Sequence, residues 1–484
     1  MNRRSLMKAA IAAAFAPTIG SALAACGSDD TSSEGSQVTS WDWLVSQAAW
    51  MDEEIKLFQQ AHGGTAIKKT TQVTDKYPDL LSLAVRSNTA PDVFQLPRTP
   101  AIEEQVSSGW LLPLDKWAND GWKARFGPGW FAEGGNVFGG KTYSAPFNGA
   151  GSNLQLYCHH ELFKQAGITN PDGTVKLPKT WDDVTKTAEA ITAKSGGKAF
   201  GLGFGNASNG ALAWLVELFC RGAGSVGGTN SLDYRVGKWT YGSDRNYADF
   251  LGLLLDWKQR GFIFPTSMSI SDEQARAFFS QGKFGMIVNG VWSQATWTQA
   301  KFTDYSLVTL PSPTETPQGY FYYGQGSSSR MFGISAKAAN PDAAFAWLDW
   351  LYSKDAGRRW VKAGLGLSVY PENNDPSLVT FAPFAQYVGT AKTNLPGPDP
   401  KVRNPEVAKV KVASVKPDIN DVAAGLYTGQ LKDVGAALRD LEGRLNKAQD
   451  DAIAAAAGAG AKVSAADFTF ADWDPTKPYQ NKTS

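Results

Sequence analysis

The segments VTSWDWL at residues 38–44 and QAAWMDEEIKLFQQAHGG at residues 47–64 decide the predicted fold class of this 484-residue chain. The first segment is rich in β-branched and aromatic residues, which are enriched in strands. The second segment repeats apolar residues at helical spacing, with Met51, Ile55 and Phe58 on one face, and glycines end it. Together the two segments predict a strand followed by an amphipathic helix.

The same alternation continues along the chain. Residues 66–73 and 91–96 are two further predicted strands, and residues 77–87 are a predicted helix between them. Strands that alternate with helices predict an α/β protein with a mainly parallel sheet and helices on its faces. Three later helix starts carry a predicted side-chain cap, at Thr180, Ser271 and Asn340.

The length of the chain predicts more than one core. A single hydrophobic core stops growing near ~250–300 residues, whereas 459 of the 484 residues follow residue 25. The composition is that of a globular protein, with 43% hydrophobic and 19% charged residues. The 17 tryptophans are the unusual feature, because large flat rings beyond the needs of a core suit ligand stacking.

The first 25 residues have the layout of an export signal. Residues 1–8 carry three basic side chains, and residues 9–25 carry no charge. This apolar run is too short and too rich in alanine to span a bilayer, which takes ~20 strongly apolar residues. The adjacent Arg3 and Arg4 resemble a twin-arginine signal, and general export is the alternative.

Cys26 stands where the apolar run ends. The tetrapeptide LAAC at residues 23–26 resembles the bacterial lipobox, in which cleavage leaves a lipid-bearing cysteine first. We therefore expect a signal peptide at residues 1–25, and a lipidated Cys26 with a flexible tether at residues 26–37. The protein would then be held at the outer face of the cytoplasmic membrane by lipid alone. The alternative is a plain cleaved signal with an incidental cysteine.

Charge and cysteine content exclude several classes of protein. Without the three basic residues of the signal, the 47 basic residues fall to 44, against 46 acidic ones. That balance offers no positive surface for nucleic acid or anionic lipid. Cys158 and Cys220 either pair or remain as two buried thiols. His62, His159 and His160 are the only histidines and hardly make a zinc site, so we expect neither a metal nor a cofactor.

Two glycine motifs match nucleotide-binding patterns in their letters only. Residues 135–142, GNVFGGKT, fit G-x-x-x-x-G-K-T, but Pro146 follows where a phosphate-binding helix would begin. We predict a glycine turn that leads into a strand. Residues 222–227 fit G-x-G-x-x-G but follow a predicted helix, which indicates a helix end instead. No H-E-x-x-H or G-x-S-x-G occurs, so we assign no catalytic residue.

Seven short motifs occur in order behind the lipoprotein-type signal. They are NTAPDV (88–93), GWLLPLD (109–115), GKTYSAP (140–146), LYCHHELF (156–163), PKTW (178–181), FFSQGKFGMIVNGVW (278–292) and GIS with NPDAA (333–344). In this order they resemble the motifs of the extracellular solute-binding proteins of ABC-type sugar importers, the maltose-binding-protein-like group. The resemblance covers residue 88 to about residue 350. The chain departs from the family pattern at residues 158–160 and 284–286, and no motif matches after about residue 370.

The resemblance implies an α/β, two-lobe fold of the periplasmic-binding-protein type, with hinge strands and a ligand cleft between the lobes. It places the crossings between lobes near Pro146 and near residues 309–311. Hinge closure would bury the ligand in the cleft. The implied boundaries are residues 38–145 and 310–365 for lobe 1, and residues 146–309 and 366–484 for lobe 2.

The implied function is capture of a sugar or oligosaccharide and its unchanged delivery to the permease of an ABC transporter, by a monomer that is not an enzyme. Flat aromatic rings cover the apolar face of a sugar, and amide groups satisfy its hydroxyls. The candidates for stacking are Trp43, Trp214, Trp292 and Tyr323, and those for hydrogen bonding are Gln95, Asn148, Asn289 and Gln325.

Two other functions stay open. A secreted carbohydrate-active enzyme would share the export signal and the tryptophans, but it needs two essential carboxylates. A binding protein for a peptide, a polyamine or an inorganic ion needs a cluster of opposite charge around its cleft. The matched loops contain no such cluster.

Overall fold

The computed structural model describes residues 36–45, 47–73, 76–127, 129–149, 154–207, 210–228, 232–324 and 331–481. The predicted signal peptide, Cys26, almost all of the predicted tether and Gln325 lie outside these residues. In the part of the chain that is described, no helix combines the length and apolar character needed to cross a bilayer.

The strands are short and spread along the whole chain. In order they are β1 (Gln37–Asp42), β2 (Ala66–Thr71), β3 (Val93–Gln95), β4 (Val137–Phe138), β5 (Lys141–Thr142), β6 (Leu154–His159), β7 (Phe200–Leu202), β8 (Phe284–Gly290), β9 (Tyr305–Val308), β10 (Phe321–Tyr323), β11 (Phe332–Ile334) and β12 (Asn394–Pro396).

Helices follow most of the strands. The caps predicted at Thr180, Ser271 and Asn340 are confirmed at α6, α9 and α11 of the following list. The helices are α1 (Ala48–Ala61), α2 (Tyr77–Arg86), α3 (Ile102–Ser107), α4 (Asp120–Ala124), α5 (His160–Gln165), α6 (Trp181–Lys194), α7 (Ala211–Gly222), α8 (Arg245–Gln259), α9 (Asp272–Ser280), α10 (Trp292–Gln299), α11 (Pro341–Leu351), α12 (Lys354–Lys362), α13 (Ala382–Gly389), α14 (Pro400–Arg403), α15 (Ile419–Thr428) and α16 (Val434–Gly458).

Two four-stranded sheets form the centres of two α/β lobes, which confirms the predicted fold class. Lobe 1 has the strand order β11-β3-β1-β2, and lobe 2 has the order β7-β8-β6-β9. In lobe 1, β1 runs parallel to β2 and β3, while β11 runs antiparallel to β3. In lobe 2, β7 and β8 are parallel, while β6 is antiparallel to both of its neighbours.

The sheets are therefore mixed, where the alternation of strands and helices predicted mainly parallel ones. The two exceptional strands, β6 and β11, are those that the chain enters after it crosses from the other lobe. A strand that starts at the crossing edge must run against the strands that end there. The antiparallel strands thus follow from the connectivity of the lobes.

Each sheet separates two layers of apolar side chains, because successive residues of a strand point to opposite faces. In β6, Leu156 and Cys158 face the core beneath α6, α7 and α8, whereas Tyr157 faces the core beneath α9 and α10. In β3, Val93 and Phe94 divide in the same way between the two cores of lobe 1.

The chain passes between the lobes three times. The first crossing joins Phe147, in a lobe 1 core, to Leu154 at the start of β6. The second lies between β9 and β11. The third follows α12 and pairs with the first, because the backbones of Asn148 and Ser368 form an antiparallel bridge. The first and third crossings therefore lie side by side next to the start of β6.

Residues 311–319 fall within the segment 310–365 that the resemblance assigns to lobe 1, and two of their contacts are with helices that pack on the second sheet. The Trp181 indole donates a hydrogen bond to the Pro311 carbonyl, 3.0 Å away, and the Gln318 amide donates one to the Gly222 carbonyl, 2.9 Å away. These contacts attach the segment to α6 and α7 of lobe 2.

The two glycine motifs have the predicted local structures. Residues 139–140 form the turn between the antiparallel strands β4 and β5, and α7 ends at Gly222. Cys158 and Cys220 are both buried and unpaired. The alternative of two separate thiols is therefore the correct one.

The C-terminal part of the chain returns to lobe 2. Helices α15 and α16 contribute Ile419, Val422 and Leu441 to the core that contains α7 and α8. Beyond α16, Phe468 and neighbouring residues close a smaller core around the end of that helix. The C-terminal helices α15 and α16 thus belong to lobe 2.

Candidate functional site

The candidate site is the cleft between the carboxyl ends of the two sheets. Strands β1 and β3 of lobe 1 and strands β7 and β8 of lobe 2 end next to the crossings, where β11 and β6 begin. Ligands of open α/β sheets bind outside the carboxyl ends of the strands. The residues that follow these four strands are therefore the first to consider.

On lobe 1, Trp43 and Gln95 lie together at this edge. The backbone N–H of Trp43 donates a hydrogen bond to Oε1 of Gln95 at 3.0 Å. The Trp43 ring packs edge-on against Tyr77, with the ring centroids 4.7 Å apart. The Tyr77 hydroxyl in turn donates to the Gln95 carbonyl at 2.6 Å. These contacts fix the orientation of a half-buried indole beside the crossings.

A buried carboxyl lies next to this pair. Asp42, the last residue of β1, is 1% exposed, and one of its oxygens accepts a hydrogen bond from the Leu44 N–H at 2.9 Å. Burial raises the pKa of Asp42, against the opposing effect of that hydrogen bond. The Asp42 carboxyl is thus enclosed beneath the lobe 1 edge rather than exposed on it.

On lobe 2, Trp292 and Trp214 form the matching aromatic pair. Trp292 is the first residue of α10, just after β8, and Trp214 lies in the first turn of α7. Their rings meet edge to face with centroids 5.8 Å apart and an angle of 70°. Both rings are only partly buried against the core, so each keeps an accessible face.

Asn289 lies beneath this pair and is 1% exposed. Its Nδ2 donates to Asp272 at 2.6 Å, and its Oδ1 accepts from the Gly290 N–H at 2.8 Å and the Ser293 hydroxyl at 2.7 Å. Through these three bonds Asn289 supports the Trp292 turn from inside the protein. Its role in hydrogen bonding to a ligand stays a prediction.

Asp272 completes the support of the Trp292 turn. Burial raises the pKa of this carboxyl, while the nearby Arg276 guanidinium and hydrogen bonds from Asn289 and the Trp292 indole oppose the rise. Arg276 Nε lies 3.3 Å from the Asp272 carboxylate. The indole is thus held by a buried network whose charges are paired within the protein.

Asn148 and Tyr323 lie at the crossings rather than on either aromatic edge. The backbone of Asn148 pairs with Ser368 between the first and third crossings. Tyr323 ends β10, and its ring stacks on Trp130 of lobe 1 at 6.0 Å with an angle of 15°. Gln325, the last of the predicted candidates, lies outside the described residues.

A cavity beside Trp214 contains residues that the sequence did not predict as site residues. Its wall includes Trp239, Tyr241 and Asn420, from the loop before α8 and from the start of α15. The aromatic pair W-x-Y at residues 239–241 was the available signal in the sequence. The W-x-Y motif does not reveal that Asn420 lies beside it, because Asn420 is distant along the chain and lies beyond the last recognised motif.

A family model described as "Bacterial extracellular solute-binding protein" matches residues 42–358. No curated protein sequence matches the chain.

Solved structures with the same fold cover 85% of this chain each. The GacH receptor of Streptomyces glaucescens has a TM-score of 0.62 at 18% identity, with 99% of that chain covered. The maltose/maltodextrin-binding domain MalE of Bdellovibrio bacteriovorus, bound to maltotriose, has a TM-score of 0.58 at 18% identity, with 99% covered. RafE in complex with raffinose has a TM-score of 0.60 at 16% identity, with 99% covered; RafE of Streptococcus pneumoniae has also been solved without ligand.

Proposed function

The chain belongs to the bacterial extracellular solute-binding proteins, and from this membership we propose that it captures a sugar or oligosaccharide and delivers it to an ABC transporter. The observation that carries the proposal is the presence of a partly exposed indole at each edge of the cleft, Trp43 on lobe 1 and Trp292 on lobe 2. Two such rings can cover the apolar faces of a sugar bound between them.

The charges at the cleft support an uncharged ligand. Asp42 and Asp272 are buried, and each accepts a hydrogen bond from a neighbouring group of the protein. A peptide or a polyamine would instead require accessible charge of opposite sign, because an unpaired charge buried on closure is costly. Structures of the same fold hold raffinose and maltotriose in two relatives, which supports a carbohydrate here.

The proposal is tested by calorimetric titration of the exported chain with raffinose, maltotriose, xylotriose and chitotriose. We expect at least one to bind, and Trp292→Ala to weaken that binding by at least about tenfold, or ~1.4 kcal/mol. Trp117→Ala is the matched control, because that indole stacks on Phe345 at 4.9 Å on lobe 1, away from the strand ends of the cleft. The proposal is contradicted if none of the four sugars gives a binding signal, or if the protein cleaves one of them.

Delivery would rest on closure of the lobes about the three crossings. We propose residues 38–145 and about 331–365 as lobe 1, with residues 154–319 and the chain beyond about residue 371 as lobe 2. Hinge closure between such bodies is a common means of enclosing a ligand. Small-angle scattering of the monomer should then contract when the ligand identified by titration is added.

The location of the protein forms part of the same proposal. Residues 1–25 would direct export, by the twin-arginine or the general route, and a lipid on Cys26 would hold the protein beside its permease. Family membership supports export. Cys26→Ser should move the protein from the membrane fraction of expressing cells to the soluble exported fraction, and an unchanged distribution contradicts the lipid anchor.

A further inference from the structure

Residues 400–409, which we call the clasp, contact both lobes beside the second crossing. They comprise α14 and a single 3₁₀ turn at Pro405–Lys409. The strand just before them, β12, runs parallel to β10 of that crossing, and the Gly397 N–H donates to the Tyr323 carbonyl at 2.9 Å. The clasp therefore begins next to the point where the chain passes from one lobe to the other.

One side of the clasp is fixed to lobe 2. The Arg403 guanidinium donates to the Thr469 carbonyl at 2.6 Å, and Asn404 Nδ2 donates to the Lys462 carbonyl at 2.8 Å. Val407 is buried in the small core around the end of α16. Because two hydrogen bonds and an apolar anchor hold it there, the clasp should move with lobe 2.

The other side of the clasp contacts lobe 1 through an ion pair. Lys401 Nζ lies 2.6 Å from Oε1 of Glu103, which is in the first turn of α3. Only 31% of the Lys401 side chain and 14% of the Glu103 side chain are exposed. An ion pair shielded from water in this way is screened less by salt than an exposed pair is.

Glu103 is held on lobe 1 by its neighbours in α3. Ile102 packs in the core that contains Phe94 of β3. The buried Gln105 side chain donates to the Pro97 carbonyl at 3.1 Å. Since α3 follows the carboxyl end of β3, the Glu103 carboxylate lies on the cleft side of lobe 1, and its contact with the clasp spans the cleft.

The backbones of the two lobes also approach closely at this contact. Gly134 lies in the turn before β4 of lobe 1. A Cβ placed on it would be 3.2 Å from the Cβ of Lys401 and 3.7 Å from the Cβ of Ala408. A long lysine side chain can follow a moving partner, but two backbones in van der Waals contact cannot stay together when their lobes separate. Opening of the cleft would therefore break this contact as well as strain the ion pair.

We propose that the clasp holds the two lobes together across the cleft and stabilises their closed arrangement before any ligand binds. This inference rests on the proposed closure about the crossings, but it does not depend on which solute the protein captures. A clasp of this kind raises the fraction of molecules that already have the closed arrangement. The apparent affinity for a ligand that favours this arrangement rises with that fraction.

The first test is small-angle scattering of the ligand-free protein. Lys401→Met and Glu103→Gln each remove the ion pair, and each should increase the radius of gyration. The double variant should show no further increase, because both changes remove the same interaction. Lys409→Met is the matched control, since this ammonium pairs with Glu406 inside the clasp, 2.6 Å away, and its profile should equal that of the wild type.

The second test traps the contact itself in a Cys26→Ser background. Gly134→Cys and Ala408→Cys place two Cβ atoms 3.7 Å apart, within the ~3.5–4.5 Å that a disulfide needs. A mild oxidant should form this disulfide in the ligand-free protein. Addition of Glu103→Gln should slow its formation by about threefold or more, because fewer molecules then have the clasp in contact with lobe 1.

The clasp is overturned by any of three results, each judged in variants whose melting curves show a folded protein. These are unchanged scattering in both single variants, contraction in either of them, and failure of the disulfide to form without ligand. Sugar binding by the wild type, which is tested by titration, would stand in all three cases. Conversely, the absence of sugar binding would overturn the proposed ligand and leave both tests of the clasp in force.

Discussion

The indole of Trp292 lies directly against the backbone of Gly290. A Cβ placed on Gly290 would fall 2.0 Å from the nearest atom of that ring, closer than any real contact. The position of the indole at the lobe 2 edge therefore depends on the absence of a side chain two residues earlier. Asn289 and Asp272 hold the same turn from below.

Gly290→Ala should displace the Trp292 ring and weaken sugar binding at least as much as Trp292→Phe does. The added methyl group cannot fit unless the indole moves, and overpacking of this kind costs typically ~1–3 kcal/mol of stability. Calorimetry and thermal melting measure the two effects. Gly252→Ala, at a helix position with open space around it, is the matched control and should leave binding unchanged. Wild-type affinity in Gly290→Ala would show that the ring position is unimportant.

Glu54→Gln should destabilise lobe 1 by about 2–4 kcal/mol, because it leaves a guanidinium without its counter-charge. Glu54 is fully buried and accepts two hydrogen bonds from Arg359, each 2.7 Å long, and one from the Trp350 indole. The destabilisation is measured as a lower urea concentration at the midpoint of unfolding. The slope of the unfolding free energy against urea concentration should not change.

The control for Glu54→Gln is an exposed ion pair. Asp451→Asn breaks the surface contact with Lys447 on α16, where about 0–1 kcal/mol is expected. Equal midpoints for the two variants would show that the buried pair contributes no more than the exposed one.

Stability should fall as the pH drops from about 6.5 to about 4 because of His159. Burial among Phe279 and Phe302 lowers the pKa of this imidazole from 6.5 to about 4. The unfolded chain takes up a proton near pH 6.5 and the folded protein does not, so acid favours unfolding. This shift of the His159 pKa corresponds to a loss of roughly 3 kcal/mol in the free energy of unfolding.

The pH dependence is measured by urea unfolding at several pH values. In His159→Leu, the free energy of unfolding should change less between pH 6.5 and pH 4 than it does in the wild type. The further loss of stability below pH 4, where carboxyl groups take up protons, should remain. An unchanged curve in the leucine variant would assign the acid sensitivity to other groups.

The thiols of Cys158 and Cys220 should react with a disulfide reagent only after unfolding. Both are buried, and desolvation raises the pKa of each, so little thiolate forms and the reagent has no access. In a Cys26→Ser background, Ellman's reagent should detect two thiols in denaturant and almost none in native buffer. Fast native labelling would indicate local opening of the lobe 2 core.

Local sequence signals predicted the parts of the fold that depend on neighbours in the chain. The caps at Thr180 and Ser271 formed as predicted because a cap needs only residues three positions apart. The contacts of Pro311 and Gln318 were not predictable in this way, because their partners Trp181 and Gly222 lie far away in the sequence.

The candidate site also contains some features that the sequence predicts and others that it does not. Trp43 and Trp292 follow strands that could be recognised, so their position at the cleft edge was predictable. The enclosure of Asn289 was not, because Asp272 and Ser293 approach it from two different helices. The cavity beside Trp214 was not predictable for a similar reason, since Tyr241 and Asn420 meet only in the folded protein.

The triple connection between the lobes also affects how the protein responds to proteases. A single cut between β9 and β11 would leave two intact links, supported by the pairing of Asn148 with Ser368. Nicked molecules should therefore still elute as one particle in native buffer and release fragments only under denaturing conditions. An exported protein with this connectivity would keep its two lobes together after a protease cuts one peptide bond at the hinge.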